Sequence, residues 1–261
     1  MEFPIKIKEI LGEKCGNKDK IGLSGANIYI FDNMVLKAQD ISDYADTEMK
    51  MLRWLSGRIP VPEVIAYEKT NKLAYLLMSR CAGKMACDKS MLAQPKKLCT
   101  LLAQALQALW ETDIRECPSD RRLKNKLAEA EYNVINGLVD TENSQPDTYS
   151  EHGFKDPEAL LYWLQNNTPD EEPVLTHGDF CLPNIIFKEN TLSGFVDLGR
   201  AGTADKWCDI ALCYRSLHDN FEGKYDGIKK YGFETSYLFD ALGMKPDWDK
   251  IRYYILLDEL F

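Results

Sequence analysis

The stretch from Val174 to Phe187, VLTHGDFCLPNIIF, constrains this chain more than any other. A short apolar run leads into His177-Gly178-Asp179. Asn184 follows Asp179 by five positions, and a second β-type run begins at once. Thirteen residues beyond Asn184, behind another apolar run, GFVDLG supplies Asp197. One Asp, one Asn and a second Asp, each beside a short strand, form the set that phosphoryl transfer from a nucleoside triphosphate requires. Oxygen ligands from Asn and Asp hold Mg²⁺ against the phosphates. A separate carboxylate orients the acceptor hydroxyl and takes its proton. HGD by itself is common, and an Asp after a strand is usually a turn former. Here both spacings occur together, and β-type runs flank both motifs.

Composition narrows the partners. The 261 residues suit one large domain or two smaller lobes. With 45% hydrophobic and 28% charged residues the chain cannot be wholly disordered. Its 41 acidic and 32 basic side chains leave a net charge of −9, which disfavours nucleic acid and suits a cationic ligand. The longest uncharged stretch, Leu98 to Trp110, has 13 residues. A bilayer span takes roughly 20 predominantly apolar ones, so no membrane partner is expected. The opening MEFPIKIKEI lacks a signal-peptide core, which predicts a cytoplasmic chain. The eight cysteines are scattered without a CxxC pair, and only three histidines accompany them. They read as reduced, mostly buried thiols rather than zinc ligands.

Periodicity predicts a β-rich first part. Asn27 to Lys37 reads as two strands around an Asp32-Asn33 turn. Ser42 to Gly57 reads as a helix with Met51, Leu52 and Leu55 on one side. Val64 to Tyr67 and Leu73 to Met78 read as strands, and Ser79 to Gly83 as a connector. Beyond it, Leu98, Leu101, Leu102, Ala105, Leu106 and Leu109 mark an amphipathic helix starting near Pro95. A further helix is expected over 119–138, a loop over 139–153, and a helix capped by Asp156-Pro157. Short strands fall between 173 and 197, and three helices fill 203–261.

At the catalytic motifs the chain resembles the protein-kinase-like superfamily, whose loop runs H-R-D-x-x-x-x-N followed by D-F-G. Gly178 and Leu198 depart from the protein-kinase pattern and are similar to the small-molecule branch. RIPVPEV, LLMS, THGDFCLPNIIF, GFVDLGRAGTADKWCDIALCYRS and KPDWDKIRYYILLDELF resemble the aminoglycoside 3′-phosphotransferases, from about Leu23 to Phe261. The resemblance implies an α+β, bilobal protein-kinase-like fold. Residues 1–80 would form a small β-rich N-lobe that binds nucleotide, and 81–261 a larger, mainly helical C-lobe. It implies ATP and Mg²⁺ as cofactors and an aminoglycoside as partner, in a monomeric enzyme.

The resemblance also assigns roles. Asp179 would be the catalytic base, with Asn184 and Asp197 holding Mg²⁺. Lys37, ending the VLK strand, would contact the α- and β-phosphates and pair with Glu48 on the N-lobe helix; Asp46 is a rival for that pairing. Ser24 lies in the short nucleotide-positioning loop, where GLSGAN replaces a Gly-rich motif. Met78, Ser79, Arg80 and Cys81 would line the adenine pocket. The chain ends D-E-L-F, so Asp258, Glu259 and the carboxylate of Phe261 would reach the acceptor cleft as anions. A negative charge at a helix C-terminus is mildly unfavourable and calls for a reason. The resemblance implies further acceptor contacts at Asp219 and at Glu142 and Glu151 of the acidic 139–153 loop. Arg200 would stand near the acceptor or catalytic loop, and Arg215 would organise carboxylates by bidentate pairing. Asp209 reads as a buried acid bracing the catalytic loop. Two alternatives stay open: a kinase of choline, homoserine, a fructosamine or another metabolite, and a nucleotide-binding pseudokinase.

Overall fold

The computed structural model describes residues 3–14, 16–18 and 26–261. Helix α1 (Ile5–Leu11) precedes the strands β1 (Asn17–Lys18), β2 (Asn27–Ile30) and β3 (Met34–Asp40). Helix α2 (Asp43–Leu55), β4 (Val64–Lys69) and β5 (Leu73–Ser79) complete this part. The five strands make one antiparallel sheet in the order β1-β2-β3-β5-β4. The Asp32-Asn33 hairpin forms as expected, but β3 runs on to Asp40 because it pairs with β5 along its whole length.

Side chains alternate between faces along a strand. Leu36, Ala38, Tyr75 and Leu77 therefore lie on the face that packs with Ile7 and Leu11 of α1. Leu76 and Met78 lie on the other face, against Met51, Leu52 and Leu55 of α2, and belong to the main core. The same alternation turns Lys37 away from α1 and toward α2. Helix α2 begins where the Ser42 side chain accepts the Ala45 N–H, and it stops short of Gly57, whose φ is 77°.

The chain leaves β5 through residues 80–83 and enters the C-lobe at β6 (Lys84–Met85). There follow α3 (Lys89–Leu92), α4 (Pro95–Trp110), α5 (Leu123–Ile135), α6 (Pro157–Asn166), β7 (Pro173–Thr176), β8 (Ile185–Lys188), β9 (Thr191–Phe195), β10 (Gly202–Asp205), α7 (Lys206–Glu222), α8 (Ser236–Leu242) and α9 (Trp248–Asp258). Leu98, Leu102, Ala105, Leu106 and Leu109 bury one side of α4, as their spacing predicts. Asp156 caps α6 by accepting the Ala159 N–H, with Pro157 in the first turn. The 139–153 segment is a loop.

Two expectations need correction. The helix expected over 119–138 spans only Leu123–Ile135, because the backbone at 119–121 is drawn to Thr203: its N–H donates to Ser119 O and its O accepts the Arg121 N–H. Residues 203–205 are not helical. They extend β10, which pairs antiparallel with β7 and brings the HGD and DLG motifs side by side. Of the described cysteines, Cys99, Cys208 and Cys213 are buried; Cys81, Cys87, Cys117 and Cys181 are half-buried, and all seven are unpaired. No helix among the described residues is long and apolar enough to cross a membrane.

Gly83 closes the inter-lobe connector at φ 123°, and a Cβ there would stand 2.2 Å from the Phe187 carbonyl oxygen. Gly83→Ala is expected to destabilise the protein by more than about 2 kcal/mol, through both strain and collision. Thermal unfolding of the purified variant checks this.

Candidate active site

Strand β7 delivers His177, Gly178 and Asp179 to the end of a buried two-stranded sheet. The sharp turn that follows is held by a carboxylate from elsewhere in the chain. Asp209, fully buried on α7, accepts the His177 N–H at 2.6 Å and the Gly178 N–H at 2.9 Å. Burial pushes its pKa up, and the two N–H groups oppose that by favouring the charged form. The bracing role read from the sequence is the one the side chain performs. His177 is also buried, with Nε2 3.0 Å from the Val196 carbonyl oxygen and its ring between Phe180 and Phe195. The histidine is thus a strut between the two motifs.

Gly178 explains the departure from the protein-kinase loop. Its φ is 80°, and a Cβ would lie 2.0 Å from the carbonyl oxygen of Arg200. Only glycine lets the HGD turn touch the DLG turn this closely.

The carboxamide of Asn184 joins the set. Its Nδ2 donates to the Asp179 carboxylate at 2.9 Å and to the Asp179 carbonyl at 3.0 Å. Its backbone carbonyl accepts the Val196 N–H at 3.0 Å, one residue before Asp197. Asp197 itself adopts a left-handed backbone, φ 62° and ψ 58°, which Asp tolerates better than most residues. Its carboxylate accepts from Lys37 Nζ at 2.8 Å. Lys37, 5% exposed, donates equally closely to Glu48. Burial works against the lysine charge, but Glu48 and Asp197 outweigh it and raise its pKa. Burial also opposes ionisation of Asp197, and Lys37 outweighs it there, holding that carboxyl low. Asp46, the rival for the Lys37 pairing, bonds Tyr67 and Lys69 instead.

The expected adenine-side residues form the end of β5 and the connector. Met78 is buried, and Ser79 pairs with Glu63 through both its N–H and its hydroxyl. The Arg80 N–H donates to the Asn33 carbonyl. Cys81 is half-buried, and burial raises its thiol pKa. Ser24 lies outside the described residues.

The C-terminal anions are more constrained than the sequence suggests. Asp258 lies between Arg200, at 3.1 Å, and Arg215, at 2.6 Å. Glu259 faces Arg215 at 3.7 Å and accepts the Gln145 N–H at 2.9 Å, which ties the helix end to the 139–153 loop. The Phe261 ring packs on the Arg200 guanidinium, 5.6 Å away. These arginines answer the unfavourable charge at the end of α9. Asp219, one turn after Arg215, is paired with Lys224 at 2.9 Å. Glu142 and Glu151 stand exposed on the loop. Sequence reasoning missed Ser216, whose hydroxyl accepts the Leu182 N–H at 3.0 Å across 34 residues of chain. Nothing in the local pattern signals it.

Burial favours a neutral Asp258, but Arg215 and Arg200 outweigh it and hold its pKa below the usual carboxylate range. Its stabilisation is therefore complete above the unfolded pKa, near 4, and is lost as pH falls through the lower folded value. Asp258→Asn is expected to cost about 3 kcal/mol at pH 7. The gap to the unsubstituted protein should shrink as unfolding is measured below about pH 4.

The chain is similar throughout its length to known proteins. Residues 22–254 match the model of the phosphotransferase enzyme family (APH). An aminoglycoside 3′-phosphotransferase of Enterococcus faecalis is 39% identical, covering 100% of this chain and 99% of the relative. One from Campylobacter jejuni is 35% identical over 97% of each. A solved aminoglycoside-3′-phosphotransferase of type VIII superposes with TM-score 0.80 at 26% identity over 94% of each chain. A Streptomyces rimosus aminoglycoside phosphotransferase solved with ADP and streptomycin shares the fold, with TM-score 0.78 at 24% identity over 97% and 95%. On this full-length agreement, with the HGD and DLG turns locked together at its centre, the chain belongs to the phosphotransferase enzyme family, among the aminoglycoside 3′-phosphotransferases.

Proposed function

We propose that this protein transfers the γ-phosphoryl group of ATP to the 3′-hydroxyl of an aminoglycoside, and so confers resistance to it. The observation that carries the reading is the Asn184 carboxamide bonded to Asp179 while Lys37 bonds Asp197. Residues 1–80 would bind nucleotide, and 81–261 would supply the catalytic loop and acceptor site of a monomeric, cytoplasmic enzyme.

Each residue then has a physical task. Asp179 accepts a hydrogen bond from the acceptor hydroxyl, aims it in line with the γ-phosphorus and takes its proton as the new bond forms. Asn184 fixes that carboxylate by holding one of its oxygens. Lys37 meets the α- and β-phosphates, with Glu48 keeping its ammonium in place. Met78, Ser79, Arg80 and Cys81 border the purine, with Ser24 nearer the phosphates. Because the Ser79 and Arg80 N–H groups already donate to the Glu63 and Asn33 carbonyls, edge contacts to the base would fall to Cys81 and the connector carbonyls.

The donor set suits Mg²⁺. The Asn184 Nδ2 is committed to Asp179, which leaves its Oδ1 free to ligate. Asp197 bonds Lys37 through Oδ1, which leaves Oδ2. No group of three or more His, Cys, Asp or Glu among the described residues forms an all-protein cage. Two oxygen side chains plus phosphates are what Mg²⁺ ordinarily takes in kinases. Bound by Asn184 and Asp197, the ion would neutralise phosphate charge.

Charge favours an aminoglycoside acceptor. Aminoglycosides are polycations, and the chain has a net charge of −9. Asp219, Glu259, Asp258 and the Phe261 carboxylate would meet ammonium groups, with Arg200 and Arg215 setting their positions. Glu142 and Glu151 would approach from the loop. The acidic end of the chain favours this acceptor over choline, homoserine or fructosamine analogues. The presence of Lys37, Asp179, Asn184 and Asp197 speaks against a pseudokinase.

Asp179→Ala should lower turnover by at least about a thousand-fold while nucleotide binding stays near its original strength. Full activity in that variant would refute the role of Asp179. With ATP and Mg²⁺, aminoglycosides bearing a 3′-hydroxyl should release ADP, and 3′-deoxy analogues should inhibit without turnover. Turnover of the 3′-deoxy compounds would contradict the regiochemistry.

A further inference from the structure

Helix α2 is pinned to the C-lobe at a second point, one turn before Glu48. Tyr44 and Glu48 are four residues apart, so they share a face of the helix. Glu48 bonds Lys37, which in turn bonds Asp197. Tyr44 reaches the residues that follow Asp197. A Cβ on Gly199 would stand 3.1 Å from the Tyr44 carbonyl oxygen, so the helix backbone lies directly on the DLG turn. The Arg200 guanidinium sits 5.7 Å from the centre of the Tyr44 ring, and that of Arg121 5.6 Å from it. Two cations on one aromatic ring are a favourable and orienting arrangement.

The phenol completes the attachment. Its hydroxyl donates to Glu129 of α5, across 85 residues of sequence, and Glu129 also accepts from Arg121 at 2.8 Å. Burial and Glu129 raise the phenol pKa, so the donor keeps its proton through the neutral range. Arg121 is anchored in turn, since its backbone N–H donates to the Thr203 carbonyl of β10. The chain thus runs from α2 through one ring to α5, β10 and the DLG turn.

We propose that Tyr44 is a positioning residue that holds α2 against the DLG turn and thereby keeps Glu48 on Lys37 for nucleotide binding. Two attachments four residues apart constrain both the distance of the helix from the DLG turn and its rotation, beyond what its packing on β5 sets. The proposal rests on the reading of Lys37 as the phosphate-binding lysine, and not on the identity of the acceptor.

The test measures Mg·ATP affinity by calorimetry without acceptor, in Tyr44→Ala, Tyr44→Phe, Glu48→Gln and the Tyr44→Ala/Glu48→Gln double variant. Tyr44→Ala should weaken binding roughly ten-fold. Tyr44→Phe keeps the ring between the guanidiniums and loses only the bond to Glu129, so it should weaken binding roughly three-fold. In the Glu48→Gln background, Tyr44→Ala should cost little more, because the path through Glu48 is already broken. A merely structural tyrosine would give additive losses. Additivity, or unchanged affinity in both single Tyr44 variants, overturns the proposal. Should Tyr44→Ala fail to fold, Tyr44→Phe alone and combined with Glu48→Gln decides by the same criterion. A failure of the unsubstituted enzyme to use aminoglycosides would refute the acceptor assignment and leave this comparison intact.

Discussion

One buried ammonium group joins the sheet, α2 and the DLG turn. Lys37 Nζ lies 2.8 Å from Glu48 and 2.8 Å from Asp197, and the lysine and the glutamate are almost fully shielded from water. A buried charge is tolerable only when it is paired and hydrogen-bonded. Each of the three residues belongs to a different element: a strand, the N-lobe helix and the DLG turn. Displacing Lys37 would leave the buried Glu48 carboxylate without its cation, so the geometry of this junction is enforced electrostatically. Strand alternation aims the lysine, and helix periodicity aims the glutamate and Tyr44 together.

The HGD turn follows a different rule. There backbone N–H groups, not side-chain cations, do the bracing. Asp209 takes two of them at the HGD turn, Ser216 takes one at Leu182, and Asn184 links Asp179 to the strand preceding Asp197. The close approach of Gly178 to Arg200 makes the two turns a single unit. Such pre-set geometry is where phosphoryl-transfer enzymes obtain most of their rate, because there is little covalent chemistry for the protein to do. The end of α9 is built by opposing charges, with Asp258 shared between Arg200 and Arg215.

Much of this was legible in the sequence, for physical reasons. The period of α4 and the Asp156-Pro157 start of α6 are local signals and came out as read. Motif spacing singled out Asp179, Asn184 and Asp197, and the family resemblance selected Lys37 and Glu48 with Asp46 as a rival, which bonds Tyr67 and Lys69 instead. What stayed hidden depends on long-range pairing. Residues 203–205 carry no strong strand pattern of their own and become β10 only because β7 is there to pair with. The shortened α5 has the same cause, since Arg121 is drawn to Thr203. The acidic ending of the chain was visible, but not the two arginines that hold Asp258, which come from 58 and 43 residues away. Tyr44 had one available signal, its four-residue offset from Glu48, which acquires meaning only once Glu48 is known to face inward.

The dependence of the nucleotide site on the buried ammonium is open to one direct measurement. Calorimetric titration of Mg·ATP into Lys37→Met, with folding checked by circular dichroism, removes the charge while keeping much of the side-chain volume. The account predicts affinity weakened by roughly ten-fold or more in a folded protein. Unaltered affinity would mean that Lys37 does not meet the phosphates, and that the junction of Glu48, Lys37 and Asp197 is structural only.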